Sequence, residues 1–373
     1  MSTGETVVTI VLGTRPEIIK LAPVIDACER YDVGYSVVHT GQHYSDELDA
    51  VFFEQLELPT PEYNLAIGSG SHSAQTGAMI GAIEDVLVED EPNVVLVQGD
   101  TNSVLAGSVA ASKLDCEVGH VEAGLRSFDR RMPEEVNRVL ADHAADYCFA
   151  PTDQAAQHLR QEGVPVERIT VTGNTIVDAV TGYRDLAAEK SRVLDVHDLH
   201  VGEFCLLTAH RAENVDDPER FASLLDGVAR FAAESHIDVI YPVHPRARER
   251  IEAFDIDVPA DIRLVEPQDF LDFLRLESAA RLAFTDSGGV QEEACILGTP
   301  CVTLRDNTER PETVAVGANR IVGVDPAAIV AGAREALDAP TDWENPFGDG
   351  RSAERILDAV GIRQAKSVGG VTG

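Results

Sequence analysis

The sequence predicts an α/β fold of two doubly wound, Rossmann-like domains facing a central cleft, and three observations lead there. Short β-branched apolar runs alternate with longer helical patterns through most of the 373 residues. The alternation stops in a charged stretch, GYRDLAAEKSRVLDVHDLH (182–200), and then restarts. Unusual polar clusters fall directly after the apolar runs, which is where open α/β sheets bind their ligands.

In the first half the predicted strands are VVTIVL (7–12), YSVVHT (35–40), NVVLVQ (93–98), CEVGHV (116–121), YCFAP (147–151) and RITVTG (168–173). The helix after the first strand opens with Thr14 and Glu17 at capping-box spacing and Pro16 in its first turn. A later helix opens at Pro133, with Glu134 and Glu135 placed to favour its dipole. The second half gives FCLLTAH (204–210), DVIYPVH (238–244), IRLVEP (262–267), LAFTDS (282–287), TPCVTL (299–304) and NRIVG (319–323). Domains are expected over 1–176 and 177–350, joined near GNTIVDAV (173–180), with a Gly-rich tail KSVGGVTG at 366–373.

Composition narrows the function. The formal charge is −34 with 44% hydrophobic residues, an ordinary core under an acidic surface rather than the signature of disorder. Only four lysines occur (Lys20, Lys113, Lys190, Lys366), so 26 of the 30 basic residues are arginine. In molar salt the Debye length falls to ~3 Å and like charges stop repelling, so a halophilic cytoplasm is expected. Nucleic acid and anionic membrane are excluded as general partners, and a phosphate ligand requires a local exception to the field. Six cysteines without a CxxC pair read as reduced core residues. The amino terminus has no basic n-region and no window approaches the ~18 apolar residues of a span, so a soluble cytoplasmic protein is expected.

After the first strand, Arg15 and Lys20 oppose the helix dipole unless an anion is held there. Asp100 follows the strand 93–98 in VLVQGDTNS, where the competing reading is a helix cap. Glu122 ends the strand in GHVEAG, and Glu134 competes with the plain role of dipole partner. Carboxylates clustered from separate loops push their pKa values apart and can supply an acid and a base. In the second half, His210 and Arg211 (LLTAHRAEN) suit a diphosphate, with His210 able to move protons. His244 reads as structural. In AFTDSGGVQEEA a strand ends in Asp286, then Ser287, Gly288 and Gly289 make a tight turn into a helix, forming a phosphate cradle. Glu293 suits a ribose, Arg310 a second phosphate arm, and Gln268 and Phe273 a nucleobase. No Walker loop, no GxGxxG after a strand and no metal-ligand spacing occurs, so neither cofactor nor metal is expected.

Taken together, GTRPEIIK, QGDTNS, GHVEAGLRS, MPEEVNR, GNTIVDA, AHRAEN, DSGGVQEEA and RDNTERPE resemble the non-hydrolysing UDP-N-acetylglucosamine 2-epimerases, in that family's order from residue 13 to about residue 323. The resemblance implies the GT-B fold, a carboxyl-terminal segment (351–373) completing the first domain, a homodimer, and a UDP-sugar substrate. It implies catalytic roles for Asp100, Glu122, Glu134 and His210. UDP-sugar contacts are implied for Arg15, Lys20, Gln268, Phe273, Ser287, Gly288, Gly289, Glu293 and Arg310. Which carboxylate is base and which is acid stays open. The loop RSFDRRMPEE is shorter than the bacterial stretch and carries Arg130 and Arg131. TGQHYSDELD keeps Gln42 and His43 but not the neighbouring residues through which bacterial members bind a second, activating UDP-sugar. The competing functions are a hydrolysing 2-epimerase, an epimerase of a 2,3-diacetamido UDP-sugar, a GT-B glycosyltransferase and a non-catalytic binding module.

Overall fold

The computed structural model describes residues 7–41, 52–68 and 70–362. The elements are β1 (Val8–Leu12), α1 (Arg15–Arg30), β2 (Tyr35–His39), β3 (Tyr63–Asn64), α2 (His72–Asp90), β4 (Val94–Gln98), α3 (Asn102–Ala111), β5 (Glu117–Val121), α4 (Pro133–Ala144), β6 (Tyr147–Ala150), α5 (Asp153–Gln161), β7 (Ile169–Val171) and α6 (Thr175–Lys190). There follow α7 (Val193–Val196), β8 (Phe204–Thr208), α8 (Ala212–Val215), α9 (Pro218–Ser235), β9 (Asp238–Pro242), α10 (Pro245–Ala253), β10 (Ile262–Val265) and α11 (Phe270–Ala279). The chain ends with β11 (Leu282–Thr285), α12 (Gly288–Leu297), β12 (Cys301–Thr303), α13 (Pro311–Ala315), β13 (Asn319–Ile321), α14 (Pro326–Asp338) and α15 (Ser352–Ala359). Two compact units emerge, 1–179 with 347–373, and 180–346, the division falling within α6.

The first unit carries a parallel sheet in the order β3-β2-β1-β4-β5-β6-β7. β1 and β4 are buried along their whole length, as strands covered on both faces must be, and so read as unbroken apolar runs. One core layer joins Val11, Val95 and Val97 of the strands to Met79, Ile83 and Leu87 of α2 and Val104 and Ala110 of α3. Each large aliphatic side chain buried this way contributes roughly 1.5–3 kcal/mol. The returning helix α15 is anchored in the same unit, where Tyr31 donates to Glu354 (2.9 Å) and the Asp178 carboxylate accepts from the Ser352 and Ala353 amides.

The second unit repeats the plan with β10-β9-β8-β11-β12-β13, again parallel. Its core is built on Phe221, Phe231, Phe284 and Tyr241. Phe231 and Phe284 meet edge to face at 5.5 Å, and the buried Tyr241 hydroxyl donates to the Ala209 carbonyl at 2.6 Å.

Several predicted strands stop short. The runs 204–210, 238–244 and 282–287 end at Thr208, Pro242 and Thr285, because the polar residues that follow turn away to bond across loops. The two-residue β3 carries no sequence signal of its own. All six cysteines are free, and burial pushes the Cys28 and Cys205 thiols up to about 12; Cys116 is half-buried rather than core. Among the described residues no helix is long and apolar enough to cross a membrane, and no group of three His, Cys, Asp or Glu could hold a metal.

Candidate active site

In each sheet the strand order reverses once, between β1 and β4 in the first unit and between β8 and β11 in the second. Loops leaving the carboxyl ends at such a switch point diverge and leave a crevice. Of the sequence-predicted site residues, all but five lie on the loops and helix starts that follow β1, β4, β5, β8 and β11; Lys20 and Glu293 lie further along the helices after β1 and β11, and Gln268, Phe273 and Arg310 follow other strands.

In the first unit the β1–α1 loop crosses tightly over its neighbours. A Cβ at Gly13 would stand 2.1 Å from Thr40 Oγ1 and 2.3 Å from Ser103 Oγ, so only glycine fits. The expected capping box forms only in part. Thr14 caps nothing with its side chain; instead its hydroxyl and the Gly13 amide both donate to Glu17 Oε2 at 2.9 Å. Glu17 Oε1 accepts from Thr101 Oγ1 at 2.5 Å, which ties the β1 loop to the β4 loop. Burial pushes the Glu17 carboxyl up to about 7 against these hydrogen bonds.

Lys20, one turn along α1, reaches Glu122 with Nζ to Oε1 of 2.6 Å. Asn174 donates to the same oxygen at 3.0 Å, and Gln98 donates to Oε2. Glu122 itself adopts φ +69°, a left-handed conformation that costs a non-glycine residue roughly 1–2 kcal/mol. Three hydrogen-bond donors converge on this strained strand end and offset its cost.

Asp100 does not cap α3; Thr101 does, accepting from the Val104 amide, which leaves the Asp100 carboxylate to a 2.5 Å ion pair with Arg138. Burial raises the Asp100 carboxyl, Arg138 opposes this, and the Glu122 charge adds to it. Glu134 is exposed on the first turn of α4, close enough for its charge to act on Asp100. Its neighbour Glu135 is buried and accepts from the Ser127 and Phe128 amides, holding the loop 123–132. Arg15 is exposed, its guanidinium 5.7 Å from the Phe52 ring centroid. Gln42 and His43, and the tail from 363, lie outside the described residues.

In the second unit Asp286 is fully buried and organises the β8 loop. Its carboxylate accepts from the His210 amide (3.0 Å), the Arg211 amide (2.9 Å) and Asn214 Nδ2 (3.1 Å). Burial pulls His210 below the usual imidazole range, Asp286 opposes this, and His244, Arg211 and Arg246 reinforce it. His244 caps α10 by accepting from the Arg246 amide at 3.2 Å, and its ring lies 5.4 Å from that of His210. Ser287 is the N-cap of α12, so Gly288 and Gly289 belong to the first helical turn rather than to a turn before it. The first amides of a helix have no partner within it and point along the axis toward an anion.

Other expected ligand contacts are engaged within this unit. Arg310 pairs with Glu292 at 2.6 Å, and the Gln268 amide donates to the Glu266 carbonyl at 2.6 Å. Phe273 packs partly buried against the cluster of Phe204, Leu206 and Val265. Glu293 lies beside Glu277, whose fully buried carboxyl is raised well above the usual range by burial and then by the Glu293 charge.

Sequence reasoning passed over Gln98, Asn174, Arg138, His120, Asp142 and Arg126, all within one network of the first unit. Gln98 and His120 had a signal, as polar residues inside otherwise apolar strands. Asp142 had none, because the buried face of α4 is itself mostly polar, with Glu135 and Asn137 beside Ala141.

Comparison with known proteins gives a consistent answer. A family model described as UDP-N-acetylglucosamine 2-epimerase matches residues 26–361. The UDP-N-acetylglucosamine 2-epimerase of Methanocaldococcus jannaschii is 50% identical over 355 residues, 94% of this chain and 97% of that one. The crystal structure of the M. jannaschii UDP-GlcNAc 2-epimerase in complex with UDP-GlcNAc and UDP superposes with a TM-score of 0.81 at 50% identity, covering 95% of this chain and 99% of that one. The UDP-2,3-diacetamido-2,3-dideoxy-D-glucuronate 2-epimerase of Pseudomonas aeruginosa is 39% identical over 93% of this chain and 97% of that one.

Proposed function

The chain belongs to the UDP-N-acetylglucosamine 2-epimerase family, and from that premise we infer that it interconverts UDP-N-acetylglucosamine and UDP-N-acetylmannosamine without releasing free sugar. The observation that carries the chemistry is the cluster of Asp100, Glu122 and Lys20 at the switch point of the first sheet. Transfer to an acceptor or binding alone does not require two carboxylates held at neighbouring strand ends, one buried and one half-buried.

The C2 hydrogen of the substrate is not adjacent to a carbonyl, so direct proton removal is unfavourable. Elimination solves this. A base takes the C2 proton, the C–H pair becomes the C1–C2 double bond, and the C1–O bond breaks with its pair leaving on UDP. The 2-acetamidoglucal then accepts a proton at C2 on its other face while the UDP oxygen re-forms the bond at C1. Glu122 suits the base, because Lys20, Gln98 and Asn174 all donate to it and favour the ionised form. Asp100 suits the proton donor, since burial raises its carboxyl. In the reverse direction the two exchange roles, with Glu134 supporting them from the exposed turn. His210, Arg211, Ser287, Gly288, Gly289 and Arg310 stabilise the departing diphosphate. The uridine falls to Gln268, Phe273 and Glu293. Arg15 joins the sugar-nucleotide contacts. For Arg310 this requires exchange of Glu292 for phosphate.

The diacetamido sugar is the second reading, favoured by the 39% identical Pseudomonas relative. A homodimer working in a salt-rich cytoplasm, with the domains at 1–176 plus 351–373 and 177–350, completes the proposal; the charge of −34 and the scarcity of lysine support the salt. Positional isotope exchange tests the C–O cleavage. UDP-N-acetylglucosamine carrying 18O in the bridge between C1 and the β-phosphorus should scramble label into the non-bridging β-phosphate oxygens during epimerisation. Epimerisation with the label retained in the bridge and no solvent deuterium entering C2 would rule out elimination.

A further inference from the structure

His120 lies inside β5, flanked in register by Val97 of β4 and Cys148 of β6, and is fully buried. Both ring nitrogens face acceptors. Nδ1 stands 2.7 Å from Asp142 Oδ1 and Nε2 stands 2.8 Å from the Gly99 carbonyl oxygen. A carbonyl can only accept, so Nε2 carries hydrogen. Asp142 is ionised, because its other oxygen meets the Arg126 guanidinium at 2.6 Å and the Gly124 amide donates to it as well. Nδ1 therefore carries hydrogen too. A ring that donates from both nitrogens is an imidazolium.

The acceptor on Nε2 places this charge. Gly99 directly precedes Asp100, and its amide donates to the Val121 carbonyl one residue before Glu122. The Asp100 carbonyl accepts from Asn137 at 3.0 Å. The backbone that presents both carboxylates is thus clamped from beneath by one buried cation. We propose that His120 is a positioning residue held permanently as an imidazolium, which fixes the Gly99–Asp100 peptide and supplies positive charge behind the Asp100 and Glu122 carboxylates. This rests on the epimerase reading for its catalytic consequence, but not for the charge state.

The charged groups around the ring balance it. Asp142 comes from α4, Arg126 from the loop after β5 and Asp100 from the loop after β4. Glu162 pairs with the outer side of Arg126 at 2.5 Å, while Arg138 and Lys20 hold the two carboxylates from α4 and α1. Cys148 stays a neutral thiol, pushed up to about 12 by burial. Burial opposes protonation of His120, but the Asp142 charge and hydrogen bonds outweigh it and raise the ring above its usual range.

The test has two arms. Long-range 1H–15N correlation NMR of the full chain should show one histidine with both ring nitrogens protonated and unchanged from pH 6 to 9. If every histidine shows a neutral tautomer by pH 8, the proposal fails. In the second arm, His120→Gln keeps one donor but no charge. It should bind UDP as the wild type does, with KM within about threefold, while C2 deuterium exchange falls by about a hundredfold. The acidic limb of its kcat profile should move up by about one unit, the size expected when one nearby opposite charge is lost. Wild-type rates with an unshifted limb would overturn it. If the variant does not fold, the NMR arm decides, and if the wild type shows no exchange at all, the epimerase reading fails while the NMR arm still reports the charge.

Discussion

Lys20 Nζ lies 2.6 Å from Glu122 Oε1, and with side chains only 16% and 6% exposed the two charges depend on each other. Of the four lysines in the chain, this one is spent on a single carboxylate at a strained strand end.

Replacing Lys20 by methionine should leave Glu122 buried without its cation. Breaking a buried pair from one side costs about 3–5 kcal/mol. Part of this is recoverable here, because Glu122 can take up a proton and Gln98 and Asn174 remain. We expect a lowered urea midpoint and at least a hundredfold fall in epimerisation. A stable, active Lys20→Met enzyme would mean that the pair is incidental.

Glu17 predicts how stability responds to pH. Its carboxyl sits at about 7 in the folded chain against 4.5 for the free group, so the folded state binds the proton more tightly. The stabilisation is therefore fully present below about 4.5 and is lost as pH rises through 7. On the order of 3 kcal/mol is involved. Urea midpoints of the wild type and Glu17→Gln, measured from pH 5 to 8, should converge or cross as the pH rises, since glutamine does not ionise. Parallel curves would contradict this.

The charge of −34 predicts a response to salt. Screening removes self-repulsion, so the thermal midpoint should rise steeply between 0.1 M and 2 M KCl. A midpoint that is flat or falls with KCl would remove the case for a halophilic setting.

Much of the fold was legible because parallel strands buried on both faces leave unbroken apolar runs, such as VTIVL and FCLLT, that no surface element imitates. The strand-end positions of Asp100 and Glu122 were legible because each follows closely on an apolar run that ends abruptly in polar residues. What sequence could not show is partnership. Gln98, Asn174 and Glu122 are separated by 24 and 52 residues, and only the register of β4 on β5 and the turn after β7 bring them together. The Thr14–Glu17 spacing formed half of its cap: the Glu17 carboxylate takes the local amides, but the Thr14 hydroxyl donates to that carboxylate and caps no helix amide. Glu135 rather than Glu134 proved to be the buried member of its pair, a matter of helix phase that one turn of sequence does not fix.

The central claim is removal and return of the C2 proton by carboxylates of the first unit. It is tested most directly by NMR of UDP-N-acetylglucosamine incubated with the protein in D2O and molar KCl, with no nicotinamide added. The account predicts UDP-N-acetylmannosamine carrying deuterium at C2. It also predicts loss of that exchange in Asp100→Asn and Glu122→Gln while UDP affinity stays nearly intact. An epimerised product with an unlabelled C2, or free N-acetylmannosamine as the main product, would contradict it.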